Sequence, residues 1–185
     1  MKKCLLLHHR KKEFRPSAGF TLSEMLCTLI LMQFIIALSL SSISVGKRLN
    51  LYYEVKRLHA VLRYAQRKAL IERIPCVVEL DFARRSYSLD HEYAMHPDVI
   101  FGAQQGVFGP PSSPHNPITD ASTWPHKKIV FYPPDHPLSS AGSTTSGSVY
   151  LTDSGRSCTY ALTCDASYGS ILRCYHYSKG WKLLS

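Results

Sequence analysis

The last part of the chain brings together Cys158, Cys164, Cys174 and His176. These are soft donors that suit zinc, but no two cysteines have the Cys-x-x-Cys spacing of a zinc site, so no metal centre is expected. A disulfide fits better. With Cys76 included, four cysteines allow three complete pairings. If a hairpin turns about Asp165–Gly169, Cys158 and Cys174 become diagonal neighbours on one face, and Cys158–Cys174 is the first choice. A register slip would flip those faces.

No catalytic set emerges elsewhere. His8 and His9 sit near the start, and His115, His126 and His136 lie in loops beside proline. Ser154 in "TDSGRS" reads as a turn residue without the strand–elbow–helix frame of a hydrolase nucleophile. No glycine motif cradles phosphate. The expectation is a protein that is not an enzyme and needs no cofactor.

The elements that position these residues follow from periodicity. Leu51, Val55, Leu58, Leu62, Ala65 and Ala69 form one apolar helical stripe. Pro75 should end that helix near Arg73. The cations Lys56, Arg57, Arg63, Arg67, Lys68 and Arg73 give the helix a basic face, suited to solvent, to lipid headgroups or to a seam between subunits. "CVVELDF" and "RRSYSLD" read as a hairpin from Cys76 to about Asp90. Residues 91–126 hold six prolines and read as an irregular insertion, with one short strand at "DVIFG". "KIVFY", "SVYLT", "SCTYALTC" and "SILRCYHY" then form an antiparallel set. Lys179, Trp181 and Lys182 are a thin footprint for DNA, and a closing strand explains them better.

The N-terminal region differs in kind. Met25 to Val45 is a 21-residue apolar run, enough to cross a bilayer, which takes about 20 residues. Six Lys/Arg and one Glu in residues 1–19 give that stretch a net +5 of the chain's +9. The positive-inside rule leaves the N-terminus cytoplasmic and exports the residues beyond Val45. A cleaved secretory signal is excluded by order, because the small pair Ala18-Gly19 precedes the apolar run. An uncleaved signal anchor stays open. Glu24 stands at the leading edge of the run, where a carboxylate costs about 2.5 kcal/mol or more at mid-membrane. It could snorkel to headgroups or meet a cation.

"GFTLSEMLCTLILMQFIIALSL" resembles the signal of type IV prepilins and type II secretion pseudopilins. Gly19, Phe20, Thr21, Leu22 and Glu24 match its frame, while Ser23 and Gln33 depart from it. "LRYAQRKALIERIPCVVELDF", "KIVFYPP" with "SGSVYLT", and "DASYGSILRCY" resemble the H-type minor pseudopilins and FimT-like pilins. The resemblance implies cleavage between Gly19 and Phe20 by a prepilin peptidase, N-methylation of Phe20, and a role for Glu24 in subunit assembly through the new amino group. It implies a minor pseudopilin of a type II secretion pseudopilus, with other pseudopilins as partners, nucleic acid disfavoured, and a single-pass place in the inner membrane with a periplasmic domain. A minor pilin of a type IV or competence pilus, or a signal-anchored envelope enzyme, are the alternatives. The expected fold is α+β and pilin-like: a long N-terminal helix, its first half transmembrane, packed on an antiparallel β-sheet domain. The expected divisions are a leader at 1–19, a membrane or filament-core half at 20–46, an amphipathic half at 47–74, and a β-rich domain at 75–185.

Overall fold

The computed structural model describes residues 21–110, 116–133, 146–165 and 171–184, with side chains omitted at 39–44. Helix α1 is assigned over Leu22–Glu72 and is divided between two compact units, residues 1–41 and 42–185. Each unit thus holds a shorter helical stretch.

In the second unit the stripe read from the sequence is the core of the helix. Leu51, Val55, Leu58, Leu62 and Ala65 are fully buried, and Ala69 nearly so. The helix stops at Glu72, and Arg73 takes a left-handed conformation (φ 56°) that turns the chain before Pro75. Strand β1 (Cys76–Asp81) then alternates, with Cys76, Val78 and Leu80 inward. It lies in a four-stranded antiparallel sheet with β2 (Ser86–Ser88), β3 (Glu92–Ala94) and β5 (Lys128–Phe131), in the order β3-β2-β1-β5. A second antiparallel sheet holds β4 (Val99–Phe101), β6 (Gly147–Asp153), β7 (Thr159–Asp165), β8 (Ile171–Tyr177) and β9 (Trp181–Leu184), in the order β4-β6-β7-β8-β9. Side chains of both sheets and the helix stripe share one core.

The expected irregular insertion is more ordered than its prolines suggested. It supplies β4, the short strand expected at "DVIFG", and also β3, and Ser122 bridges to Val149 on β6. Strand β7 is consequently buried on both faces. Its even-numbered residues pack in the core, while Thr159 on the other face accepts a hydrogen bond from the Gln104 N–H at 3.0 Å.

The expected pilin-like α+β fold, with one sheet domain and a helix whose first half is transmembrane, is corrected on two counts. The β part is two sheets, and the second unit is mostly β with helix packed on it. Among the described residues, no helix is long and apolar enough to cross a membrane. The described part of the expected span, residues 25–38, is shorter than the about 20 residues that a crossing takes. Residues 39–44 of the expected span fall outside those whose side chains are described.

Candidate functional site

The first helical turn is built by two side chains. The Thr21 N–H and Oγ1–H both donate to Glu24 Oε2, at 2.8 and 2.9 Å. The Glu24 N–H in turn approaches Thr21 Oγ1 at 3.3 Å. This is a capping box, in which a hydroxyl and a carboxylate three residues apart satisfy helix-end donors reciprocally. Its signal, Thr-x-x-Glu, stands in the sequence, and it gives Thr21 a role beyond that of a match to the prepilin frame. Both bonds from Thr21 go to Oε2, and Glu24 as a whole is exposed. Gly19 and Phe20, the expected cleavage and methylation residues, lie outside the described residues.

The helical stretch beyond this cap is largely apolar, and its described side chains are exposed. Met25, Leu29, Phe34 and Leu38 are all well over half exposed. Apolar side chains in such a continuous array are stable only against another apolar surface.

The two cysteines expected to bridge do not meet. Cys158 and Cys174 are free thiols. Cys174 pairs across the ladder with Leu162, four residues along β7 from Cys158, so the Cys158–Cys174 expectation is corrected. Asp165 pairs with Ile171, which puts the hairpin centre one residue later than a turn about Asp165–Gly169. That displacement doubles in the register while leaving the faces unchanged.

Cys158 instead approaches His176, with Sγ 3.1 Å from Nε2. Its N–H donates to Asp153 Oδ1 at 2.8 Å, and Asp153 also accepts from the Ser157 N–H and hydroxyl. The Tyr160 ring covers the imidazole at 4.8 Å. Burial is the main cause that pushes the Cys158 thiol up and the His176 imidazole down. Both shifts favour the neutral form, the reverse of a thiolate–imidazolium nucleophile. The arrangement locks the β6–β7 turn, where Ser154 also sits. No group of three or more His, Cys, Asp or Glu suited to a metal ion occurs among the described residues.

Trp181 is also engaged. Its Nε1–H donates to the Phe108 carbonyl at 2.8 Å, and its ring contacts Tyr177 and Tyr150. It pins the insertion to β9, as a closing strand would. A cleft of about 750 Å³ lies between the insertion and the outer face of the second sheet, lined by Asn116, Thr119, Tyr150, Thr163, Arg173 and Tyr175. It presents hydroxyls, the Arg173 guanidinium and the carboxylates of Asp120 and Asp165.

No protein-family model, curated protein or solved structure matches the chain.

Proposed function

We propose that the protein is a structural subunit of an envelope filament, a minor pseudopilin of a type II secretion pseudopilus, without catalytic activity or cofactor. The observation that carries the proposal is the start of α1. A capped Glu24 stands five residues after Gly19 in a Gly-Phe-Thr-Leu-x-Glu frame, at the head of a helical stretch whose described apolar side chains are exposed. Helices of neighbouring subunits would cover them. Cleavage after Gly19 by a prepilin peptidase would create an ammonium at Phe20, and Glu24 has one carboxylate oxygen for its own cap and a second for that cation. An ammonium buried in a helix bundle without a partner would cost several kcal/mol.

The six Lys/Arg before the apolar run support a cytoplasmic N-terminus and a periplasmic C-terminal domain at the inner membrane. The partners proposed are other major and minor pseudopilins. Mass spectrometry of protein extracted from its own cells tests the proposal. The expected chain begins at N-methyl-Phe20; an intact leader in cells with an active prepilin peptidase overturns the proposal.

A further inference from the structure

We infer, resting on the filament-subunit reading, that the outward face of α1 from Leu49 to Ile71 docks an acidic amphipathic helix of a different subunit. Opposite the buried stripe, Leu49, Tyr53, Ala60, Tyr64 and Ile71 recur at steps of 4, 7, 4 and 7. At 100° per residue an 11-residue repeat keeps these side chains within about 60° of one another along a helix. Leu49 is 50% exposed, Tyr53 63%, Tyr64 55% and Ile71 80%, and Ala60 is exposed as well. Scattered exposed apolar residues are ordinary, but these make one seam of about 33 Å.

Charge identifies the occupant. Lys56, Arg63 and Arg67 run along the seam. The carboxylates of this part of α1 are Glu54, which is buried and bonded to Arg57, and Glu72 at the last turn. A second copy of the same face would set cations against cations. Elsewhere on the domain Glu79 pairs with Lys128, Asp81 with Arg84 and Asp90 with Lys68, so this chain holds those acids in pairs of its own. A single-stranded nucleic acid fits poorly, because Tyr53 and Tyr64 are about 16 Å apart along the helix and the one seam residue between them is Ala60. A bilayer surface calls for a broader apolar face than a strip about 60° wide, which is the width of one helix–helix contact. A helix with apolar residues at helical spacing, flanked by Asp or Glu, satisfies both the seam and its cations.

The test uses the full chain in its own cells, with a photo-reactive phenylalanine at Tyr53 or Tyr64 and the adduct identified at the level of the peptide. The expected adduct is a peptide of another subunit whose apolar positions carry flanking acids. Arg63→Glu with Arg67→Glu should lower the yield about tenfold or more, and acid-to-lysine changes in the identified peptide should restore it. Protease resistance of the double variant should equal that of the wild type, since both arginines are exposed. Adducts to lipid, to nucleic acid or to a second copy, no adduct, or a yield indifferent to charge reversal each overturn the inference. Cleavage after Gly19, scored in the same samples, reports separately on the filament reading. A cleaved chain without the acidic adduct overturns the docking face alone, and an uncleaved chain with that adduct overturns the filament reading alone.

Discussion

Cys158 and His176 sit one strand apart, with sulfur and Nε2 3.1 Å from each other and burial pushing the thiol up and the imidazole down, which favours the neutral form of each. A neutral, buried thiol is a poor nucleophile. Alkylation of the native chain near neutral pH should therefore modify Cys27, which is exposed, and spare Cys158, Cys164 and Cys174. Peptide mapping under non-reducing conditions should find no Cys158–Cys174 bridge; recovery of that bridged peptide would refute the β7–β8 register.

The double use of Glu24 separates into measurable parts. Glu24→Gln retains a capping-box side chain but removes the charge, Thr21→Val removes the hydroxyl cap but retains the charge, and Glu24→Ala removes the charge and the carboxylate half of the box. Loss of the cap should cost about 1 kcal/mol of helix stability. If the ammonium of Phe20 depends on the carboxylate, Glu24→Gln should assemble nearly as poorly as Glu24→Ala, while Thr21→Val assembles well. Cross-linking to neighbouring subunits at equal expression is the measurement, and the opposite ranking would assign Glu24 to capping alone.

His59 and His176 give the domain a pH dependence. Burial lowers both, helped by Arg63 and Lys56 beside His59 and by Lys182 and Arg48 beside His176. An unfolded histidine titrates near pH 6.5. As pH falls below that value, the unfolded chain takes up protons that the folded domain refuses, so stability is present above about pH 6.5 and is lost on acidification. The Tm should be lower at about pH 5.5 than at about pH 7.5, and His59→Gln should narrow the gap. Equal values at the two pHs would remove this account.

Arg57 is the partner that makes the buried Glu54 tolerable. Its Nη1 lies 3.2 Å from Glu54 Oε1 and donates to the Ala94 carbonyl, and the guanidinium faces the rings of Tyr87 and Tyr93. Among the described residues, Glu54 Oε2 and the Tyr87 hydroxyl are buried without a hydrogen-bond partner. Arg57→Met should destabilise the domain by about 2 kcal/mol, discounted from a fully buried pair because Arg57 is partly exposed. Adding Glu54→Gln should recover part of that loss, a coupling that a double-mutant cycle in urea would measure.

Gly147 has no room for a side chain. A Cβ there would lie 2.6 Å from Nε1 of Trp124, a buried ring. Gly147→Ala should cost about 1–3 kcal/mol through displacement of that ring. Urea denaturation checks the value, and near-UV circular dichroism should register the tryptophan's movement.

The helix stripe from Leu51 to Ala69, the hairpin from Cys76 and the four later strands were legible because each is a local period. The illegible part is non-local. The pairing of both β4 and Ser122 with β6 joins residues some 25 to 55 positions apart, and no local pattern in a proline-rich segment announces it. The β7–β8 register failed by a small margin, since one residue of turn placement moves Cys174 from near Cys158 to beside Leu162. The capping box is plain in Thr21-Leu22-Ser23-Glu24, but the membrane cost of Glu24 draws notice away from the helix end that it satisfies.

The insertion also settles how one side of the second sheet can meet other molecules. With β4 and Ser122 bonded along β6, the seven-residue β6 is covered and the edge on that side is the three-residue β4. So short an edge offers an incoming strand little ladder, and contacts on that side fall mainly to side chains, whose shape and charge discriminate between partners. Crowding many copies together would then favour selective association there over strand-by-strand aggregation.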